Sequence, residues 1–295
     1  MSSQNRPLAA AAWMIGSISG FSLVAIAGRA LATELDTFEI MLWRSMVGVI
    51  AVSGIALARR QGAELAPRRL GTHFLRNVLH FAGQNLWLYA LTLIPLSQLF
   101  ALEFSYPILV TLCAPLLLSE RLTGTRVLSV IIGFTGILMV AQPFGAGGLS
   151  PGLLAALLCA VGFAGAAIVT KRLTRVTTIT AILFWLTAMQ TGFGLIAAGH
   201  DGDIAVPSLI LLPWVLAIGL GGLGAHLCLT KALSLAPATV VTPIDFMRLP
   251  LIALIGMTFY SEPLNIWVLG GGAVIFAANL LNMRSDKPRI PQAMA

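Results

Sequence analysis

Ala90-Leu-Thr-Leu-Ile-Pro95 returns later in the chain as Ala232-Leu-Ser-Leu-Ala-Pro237, and this pair of stretches indicates a duplicated fold. The two copies lie 142 residues apart, and the same offset joins similar residues along the whole chain without a gap. Ala and Leu matches arise by chance in so apolar a chain, so the rarer pairs carry the evidence. They are Trp43 with Trp185, Phe104 with Phe246, Ser119 with Ser261, and Glu120 with Glu262. The sequence therefore predicts two repeats, 1–145 and 146–295, which meet at a glycine-rich join.

The composition indicates a membrane protein. Of the 295 residues, 58% are hydrophobic and only 10% are charged, whereas a soluble domain carries about 25% charged residues. An apolar run of about 20 residues spans the hydrocarbon core of a bilayer. The predicted fold class is an all-α membrane protein with ten transmembrane helices, five in each repeat, near residues 8–31, 37–58, 72–94, 97–118, 123–142, 150–170, 178–199, 209–230, 238–260 and 264–283.

Because five spans is an odd number, the second repeat is predicted to be inverted in the membrane relative to the first. Lys and Arg mark the cytoplasmic side of short loops. With the N-terminus inside, 15 of the 18 Lys and Arg residues, Arg76 among them, fall on cytoplasmic segments. The other three are Arg29, Arg44 and Arg248, while Glu120 and Glu262 fall on opposite faces. We expect a multi-pass protein of the bacterial cytoplasmic (inner) membrane with both termini in the cytoplasm.

The first apolar run is predicted to be a permanent span. Its core, within residues 8–32, is longer than the roughly 7–15 residues of a cleaved signal peptide, and its removal would destroy the repeat. Cys113, Cys159 and Cys228 all lie within predicted spans, so we expect packing roles and no disulfide framework. The sequence predicts no metal site, no cofactor and no catalytic residue.

Ionisable side chains within the spans are the candidate functional residues, because such groups face a partner or a water-filled cavity. Glu103 and Asp245 are repeat mates, at symmetric positions of spans 4 and 9. Asp245 and Arg248 are three residues apart and share a helix face, so they form either an internal salt bridge or part of a substrate site. Arg44 is placed at a depth similar to that of Glu103, as its potential partner.

A polar stripe on span 3 marks a second group of candidates. Asn77, His80 and Gln84 follow helical spacing, and His226 on span 8 is the repeat mate of Gln84. Such residues either hydrogen-bond neighbouring helices or line a cavity. Adding aromatic and glycine positions, which core packing could equally explain, gives the predicted substrate-binding residues: Gly20, His80, Phe81, Gln84, Glu103, Tyr106, Phe163, His226, Asp245 and Arg248.

Prolines are predicted to bend two of the spans. Pro107 and Pro115 lie in span 4, and Pro243 and Pro250 in span 9. An interior proline removes a helix hydrogen bond and bends the helix. Bends in symmetric helices are natural places for gates.

The motif from Ala90 through Tyr106-Pro107 to Ser119-Glu120-Arg121, then Gly133 and Gly136, resembles the EamA repeat of the drug/metabolite transporter superfamily. The stretch from Ala232 to Ser261-Glu262-Pro263 is similar to the same motif, so the resemblance covers essentially the whole chain. Within the superfamily the chain is most similar to YddG-type exporters of aromatic amino acids. The resemblance implies a central cavity lined by spans 1, 3, 4, 6, 8 and 9, with His80 as a contact. Residues 245–250 also resemble span 9 of some S-adenosylmethionine carriers, which leaves the substrate open.

The predicted function is a secondary transporter that exports amino acids, aromatic or otherwise hydrophobic, by alternating access through a central cavity. The alternative is a carrier of another metabolite such as S-adenosylmethionine, purines or drugs. Inverted repeats suit such carriers, and without a nucleotide-binding P-loop motif the energy must come from gradients. Proton coupling through Glu103, Asp245 or His80 stays open. An intramembrane enzyme or a channel is a more remote alternative. We expect contact with membrane lipids and a small molecule, no nucleic acid, and a monomer.

Overall fold

The structure, a computed structural model, describes residues 6–117, 123–142, 148–173, 176–235, 241 and 244–284. Within these ranges the regular secondary structure is helical throughout. A short 3-10 turn, Gly62–Leu65, stands between the second and third of the helices. The α-helices are α1 (Pro7–Leu31), α2 (Thr37–Ala58), α3 (Leu70–Leu93), α4 (Leu96–Glu103), α5 (Tyr106–Leu117), α6 (Gly124–Ala141), α7 (Pro151–Leu173), α8 (Ile179–Ala198), α9 (Leu212–Leu235), α10 (Arg248–Tyr260) and α11 (Ile266–Arg284).

Side chains at the helix ends fix where several of these helices begin. Asp36 caps α2 by accepting a 2.8 Å hydrogen bond from the backbone N–H of Glu39, and Glu39 accepts one from the backbone of Asp36. This reciprocal capping satisfies two donors that the first turn would leave unpaired. Thr123 and Thr178 cap α6 and α8 in the same position.

Eight helical segments in the described ranges are long and apolar enough to cross a membrane, two fewer than the ten spans predicted. Predicted span 3 does form a helix, α3, but the polar stripe of Asn77, His80 and Gln84 lowers its hydropathy. Predicted span 9 is represented by α10, which has 13 residues, and residues 236–240 and 242–243 lie outside the described ranges. A multi-pass helical membrane protein is confirmed, whereas ten inverted spans stay a prediction.

Predicted span 4 is broken into two helices, and the start of α10 repeats the break. α4 ends at Glu103 and α5 begins at Tyr106, with a turn at Phe104; the corresponding turn, 142 residues later, is at Phe246. The prolines lie beside these breaks and not at their centres. Pro107 and Pro250 occupy the first turns of α5 and α10, where proline is tolerated. Pro115 lies within α5, and Pro243 lies outside the described residues.

A neighbouring side chain compensates for the first break. The amide nitrogen of Asn279 on α11 donates a 2.9 Å hydrogen bond to the backbone carbonyl of Phe104, and Asn279 is 3% exposed. A buried carbonyl without such a partner would cost several kcal/mol in lipid. The interruption of the helix is therefore a supported feature of the fold.

The contacts between helices follow the symmetry of the two repeats. The principal contacts join α1 with α9, α3 with α7, α2 with α8, and α6 with α11. When each helix is replaced by its counterpart 142 residues away, the same four pairs of helices result. Glycine crossings repeat in the same way: a Cβ added at Gly20 would lie 2.9 Å from Ala225 Cβ, and one added at Gly162 would lie 2.9 Å from Gly83 Cα. These contacts bring α1 against α9 and α3 against α7 at backbone distance.

The outer surface of the bundle is apolar. Large hydrophobic side chains such as Ile50, Ile131 and Ile196 are exposed by 58% or more. The main buried cluster lies inward of them and includes Leu91, Leu99 and Phe100. A continuous apolar exterior around a partly polar interior is what a lipid environment requires, and it directs the polar groups to the centre.

Candidate functional site

A central cavity of about 330 Å³ lies between the two repeats. That volume falls in the range of ligand pockets. Along α3 its lining extends from Trp87 to Arg76, a distance of about 16 Å at the rise of an α-helix. Its walls combine aromatic, hydrogen-bonding and cationic side chains: Phe21, Val24, Arg44, Arg76, His80, Gln84, Trp87, Phe100, Glu103, Tyr106, Phe163, Ala166, Ala167, Thr170, Gly222, His226 and Arg248.

The two repeats contribute residues at equivalent positions to the cavity wall. Five pairs of its lining residues are repeat mates, each separated by 142 positions in the sequence. A pocket within one repeat would not contain both members of such pairs. These are Phe21 with Phe163, Val24 with Ala166, His80 with Gly222, Gln84 with His226, and Tyr106 with Arg248.

Arg248 anchors one end of the cavity through two carboxylates. Its Nη2 lies 3.4 Å from Glu103 Oε1 and 3.5 Å from Asp245 Oδ2. Trp87 donates a 2.8 Å hydrogen bond from Nε1 to the other oxygen of Glu103. The Arg248 side chain is only 6% exposed, and a buried cation of this kind needs paired acids. The predicted pairing of Asp245 with Arg248 is present, whereas Glu103 faces Arg248 and not Arg44.

Three aromatic rings surround the same guanidinium. Arg248 Cζ lies 4.7 Å from the ring centre of Phe21, 5.2 Å from that of Phe100 and 4.9 Å from that of Phe104. Each distance is within the range of a cation–π interaction. Phe104 and Phe246, at the two helix breaks, are themselves 4.9 Å apart. The breaks thus bring rings and charges of both repeats into one cluster.

The polar stripe of α3 divides between packing and the cavity. Asn77 donates a 2.9 Å hydrogen bond to the backbone carbonyl of Trp185 on α8, which is a packing role. His80 Nδ1 lies 2.7 Å from Nε2 of Gln190, also on α8. His80 and Gln84 both line the cavity, and Phe163 packs beside His80 with its ring centre at 5.7 Å. Gln190 therefore orients the ring of His80. The position of Gln190 in the sequence did not indicate this role.

Arg44 and Arg76 complete the lining, and the charge pattern did not predict the place of Arg76 there. Arg76 was assigned to a cytoplasmic segment, but it is 7% exposed and lies within α3 facing the cavity. Its Nε donates to Thr170 Oγ1 at 3.2 Å, and its Nη1 donates to Asn77 Oδ1 at 2.9 Å. Arg44 on α2 reaches Gly222 on α9, where an added Cβ would lie 3.4 Å from Nη2.

Seven of the ten predicted site residues line the cavity, and three are placed elsewhere in the described part of the chain. Gly20 packs against Ala225 and the carbonyl of Gly221. Phe81 stacks on Phe38 and meets Phe193 edge-on, toward α2 and α8. Asp245 acts on the cavity through Arg248. The lining residues are His80, Gln84, Glu103, Tyr106, Phe163, His226 and Arg248.

The end of the bundle where α1 finishes is closed by a polar network; this is the outer end in the predicted topology. Arg29 Nη1 pairs with Glu262 Oε1 at 2.5 Å, and its other nitrogens donate to the carbonyls of Leu91 and Ile94. Glu262 Oε2 also accepts a 2.8 Å bond from the backbone N–H of Leu96, the first residue of α4. A carboxylate at a helix N-terminus is favourable, so one ion pair ties α1, α3, α4 and the segment after α10.

The EamA-like transporter family matches this chain twice, over residues 8–142 and 150–284. The two matches start 142 residues apart, at the offset found in the sequence, and together they cover most of the chain. The chain belongs to the EamA-like transporter family. Membership of the drug/metabolite transporter superfamily, predicted from the repeated motif, is thereby confirmed.

Relatives of this EamA protein are transporters of several metabolites. The riboflavin transporter of Brucella anthropi is 30% identical over 92% of this chain and 98% of its own length. The S-adenosylmethionine uptake transporter of Rickettsia bellii is 25% identical, with 93% of each chain covered. The pseudopaline exporter CntI of Pseudomonas aeruginosa is 27% identical over 90% of this chain and 93% of its own.

A solved crystal structure shares the fold of this EamA protein. It superposes with a TM-score of 0.64 at 20% identity and covers 94% of this chain and 99% of that chain. At this identity the likeness concerns the fold alone. Membrane transport as the broad function is confirmed by the family, whereas the expected kinship with aromatic amino acid exporters is not supported by these relatives.

Proposed function

We propose that this chain is a secondary carrier for an amphipathic metabolite that contains a planar ring, and that the central cavity is its binding site. The observation that carries the proposal is the composition of the cavity wall. Phe21, Trp87 and Phe163 offer aromatic faces, while His80 and Gln84 offer hydrogen bonds. A mainly apolar pocket with a few polar groups is typical of small-molecule sites.

Riboflavin is the first compound to test, because relatives named as riboflavin transporters match nearly the full chain at 30% identity. S-adenosylmethionine also contains a ring and is the substrate named for other relatives. These names support the earlier alternative of a non-amino-acid metabolite better than export of aromatic amino acids. A fused ring system suits a cavity with aromatic side chains on several sides.

The repeat supports alternating access through this cavity. Five pairs of lining residues are repeat mates, and an inverted repeat gives a carrier two related arrangements that open to opposite sides. We assign the present arrangement as closed at the outer end, where Arg29 and Glu262 pair. This assignment uses the proposed orientation, with both termini in the cytoplasm of a bacterial cell and the domain boundary between residues 145 and 146.

A competition screen tests the substrate class. Purified protein in liposomes should take up labelled riboflavin in a saturable manner, and S-adenosylmethionine and tryptophan should be compared as competitors. We expect riboflavin itself or another fused-ring metabolite to compete most strongly, because the cavity presents several aromatic faces. The proposal is wrong if no ring-containing compound moves or competes, whereas transport of tryptophan in preference to riboflavin would favour the amino acid exporter over a riboflavin-like carrier.

Glu262→Gln is expected to shift the protein toward an outward-open arrangement. The change removes the ion pair with Arg29 and weakens the bond to the N-terminus of α4, which together hold the end of the bundle where α1 finishes. Glu120 is the repeat mate of Glu262 and lies outside the described residues. Because the repeat is inverted, Glu120→Gln should shift the equilibrium in the opposite direction.

Reactivity of a cysteine introduced at Trp87, in a background in which Cys113, Cys159 and Cys228 are replaced, measures this equilibrium from each side of the membrane. Labelling from outside should rise in Glu262→Gln and fall in Glu120→Gln. Labelling that stays unchanged in Glu262→Gln would show that the ion pair with Arg29 does not hold the outer end closed.

A further inference from the structure

Two guanidinium groups face the cavity without a carboxylate from the chain itself. In the described ranges, neither Arg44 nor Arg76 lies within ion-pair distance of an Asp or Glu. The carboxylates of Glu262, Glu103 and Asp245 pair with Arg29 and Arg248. Both Arg44 and Arg76 nevertheless line the cavity. Charged side chains at membrane depth are costly and usually have a partner, so these two cations require an explanation.

Both arginines keep hydrogen-bond donors available to the cavity. A guanidinium carries five N–H donors. The side-chain bonds of Arg76 to Thr170 and Asn77 occupy two of them. Arg44 makes one weak contact, 3.6 Å from Nη1 to Met41 Sδ. Thr170 and Asn77 fix the orientation of Arg76, and the bare surface of Gly222 leaves room for Arg44.

The charge of the cavity is therefore unevenly distributed. At one end the cation of Arg248 is balanced by Glu103 and Asp245. At the other, Arg44 and Arg76 both line the cavity, and His80, Thr170 and His226 in the same lining are polar but not acidic. An anion placed there would pair with both cations, and Arg–carboxylate and Arg–phosphate pairs are among the stronger hydrogen bonds in proteins.

The two cations also break the symmetry of the repeat. The mates of Arg44 and Arg76 are Leu186 and Ile218, which are apolar. Much of the remaining lining occurs in mated pairs, which shared ancestry explains. An asymmetric pair of charges in a symmetric cavity needs a separate reason, and a polar ligand with two different ends supplies one.

We propose that Arg44 and Arg76 form an anion subsite that binds a carboxylate or phosphate group of the transported metabolite. The inference rests on the proposed function, since it takes the central cavity as the transport site. The acidic group lies between the two guanidiniums, and the ring lies toward Trp87 and Phe100. The preferred substrate is then an acidic, ring-containing metabolite, a narrower class than the family relationship indicates, and neutral riboflavin is bound less tightly.

Matched pairs of compounds test the subsite by binding to the purified full-length protein. Indole-3-acetate and indole-3-ethanol differ by a carboxylate, and flavin mononucleotide and riboflavin differ by a phosphate. We expect the acidic member to bind about tenfold more tightly in at least one pair, as two charge-assisted hydrogen bonds predict. The pair that shows the preference identifies which acid the subsite takes. Thermal stabilisation titrated against ligand concentration gives the affinities.

Substitutions test whether Arg44 and Arg76 cause the preference for the acidic compound. Arg44→Gln and Arg76→Gln should each reduce it at least threefold, and Arg44→Lys and Arg76→Lys, which keep the charge, should retain part of it. Arg59→Gln is the control, because Arg59 is an exposed arginine at the end of α2. If a Gln variant fails to fold, the Lys variant at the same position replaces it. Its preference for the acidic compound should also be weaker than that of the unchanged protein.

Three outcomes would overturn the subsite: neutral members that bind as tightly as acidic ones, a preference that survives both Gln substitutions, or no binding of either acid at millimolar concentration. Failure of the proposed function gives a different result. In that case the acidic preference would still depend on Arg44 and Arg76, but no ring compound would be carried across liposomes.

Discussion

Arg248→Gln is expected to abolish transport and to destabilise the protein by about 3–5 kcal/mol, the usual cost of leaving a buried charge without its partner. The substitution removes the cation that faces Glu103 and Asp245. It also removes the group that the rings of Phe21 and Phe100 surround. The melting temperature in detergent and the initial rate of transport measure the two effects.

A combined variant separates structure from substrate binding. Arg248→Gln together with Glu103→Gln and Asp245→Asn leaves no unpaired charge in the cluster, so most of the lost stability should return. Replacing a whole buried charge network often costs little, whereas removing one member costs much. If the triple variant is no more stable than Arg248→Gln alone, the two acids are not what balances Arg248.

Ala167→Trp is expected to reduce transport at least tenfold with little change in stability. Ala167 lies on α7 and lines the cavity, where an indole would occupy space that a metabolite needs. A ligand pocket near the lower end of the usual size range has little room for an added ring system. The initial transport rate and the melting temperature are again the measurements.

The matched control is Val161→Trp. Val161 lies on the same helix and is 56% exposed on the outer surface, so the same ring would meet lipid and not the cavity. We expect transport by this variant within about twofold of the unchanged protein. Equal loss of transport in both variants would show that α7 tolerates no bulk anywhere, and the cavity would lose its support as the transport site.

Much of the fold could be predicted from the sequence, because each helix has a counterpart in the other repeat and the two copies can be compared. The offset that matched Glu103 with Asp245 also located the two acids that converge on Arg248. The pairing of Gln84 with His226 placed both in the cavity wall. Sequence periodicity identifies which face of a helix is polar, and symmetry identifies its counterpart.

The predictions that were wrong depended on the rotation of a helix about its axis or on the depth of a side chain in the membrane, because these two decide which neighbour a side chain meets. Arg76 lies six residues into α3, and counting charges by loop assigned it to the cytoplasm, although it faces the cavity. Arg44 and Glu103 were matched by depth alone, but Glu103 pairs with Arg248, across the helix break. Phe81 was selected as an aromatic residue, yet its ring turns toward Phe38 and Phe193. One-dimensional patterns do not fix which neighbour a side chain meets.

Counterflow in liposomes shows whether the protein carries its substrate through the central cavity. Vesicles containing the protein are loaded with unlabelled riboflavin and diluted into labelled riboflavin. In a parallel experiment, flavin mononucleotide replaces riboflavin both inside and outside the vesicles. A carrier with one alternating site predicts transient accumulation of label above the external concentration for at least one of these ring compounds, and its loss in Ala167→Trp. Label that only equilibrates, or accumulation that persists in Ala167→Trp as it does in Val161→Trp, would contradict a carrier that works through this cavity.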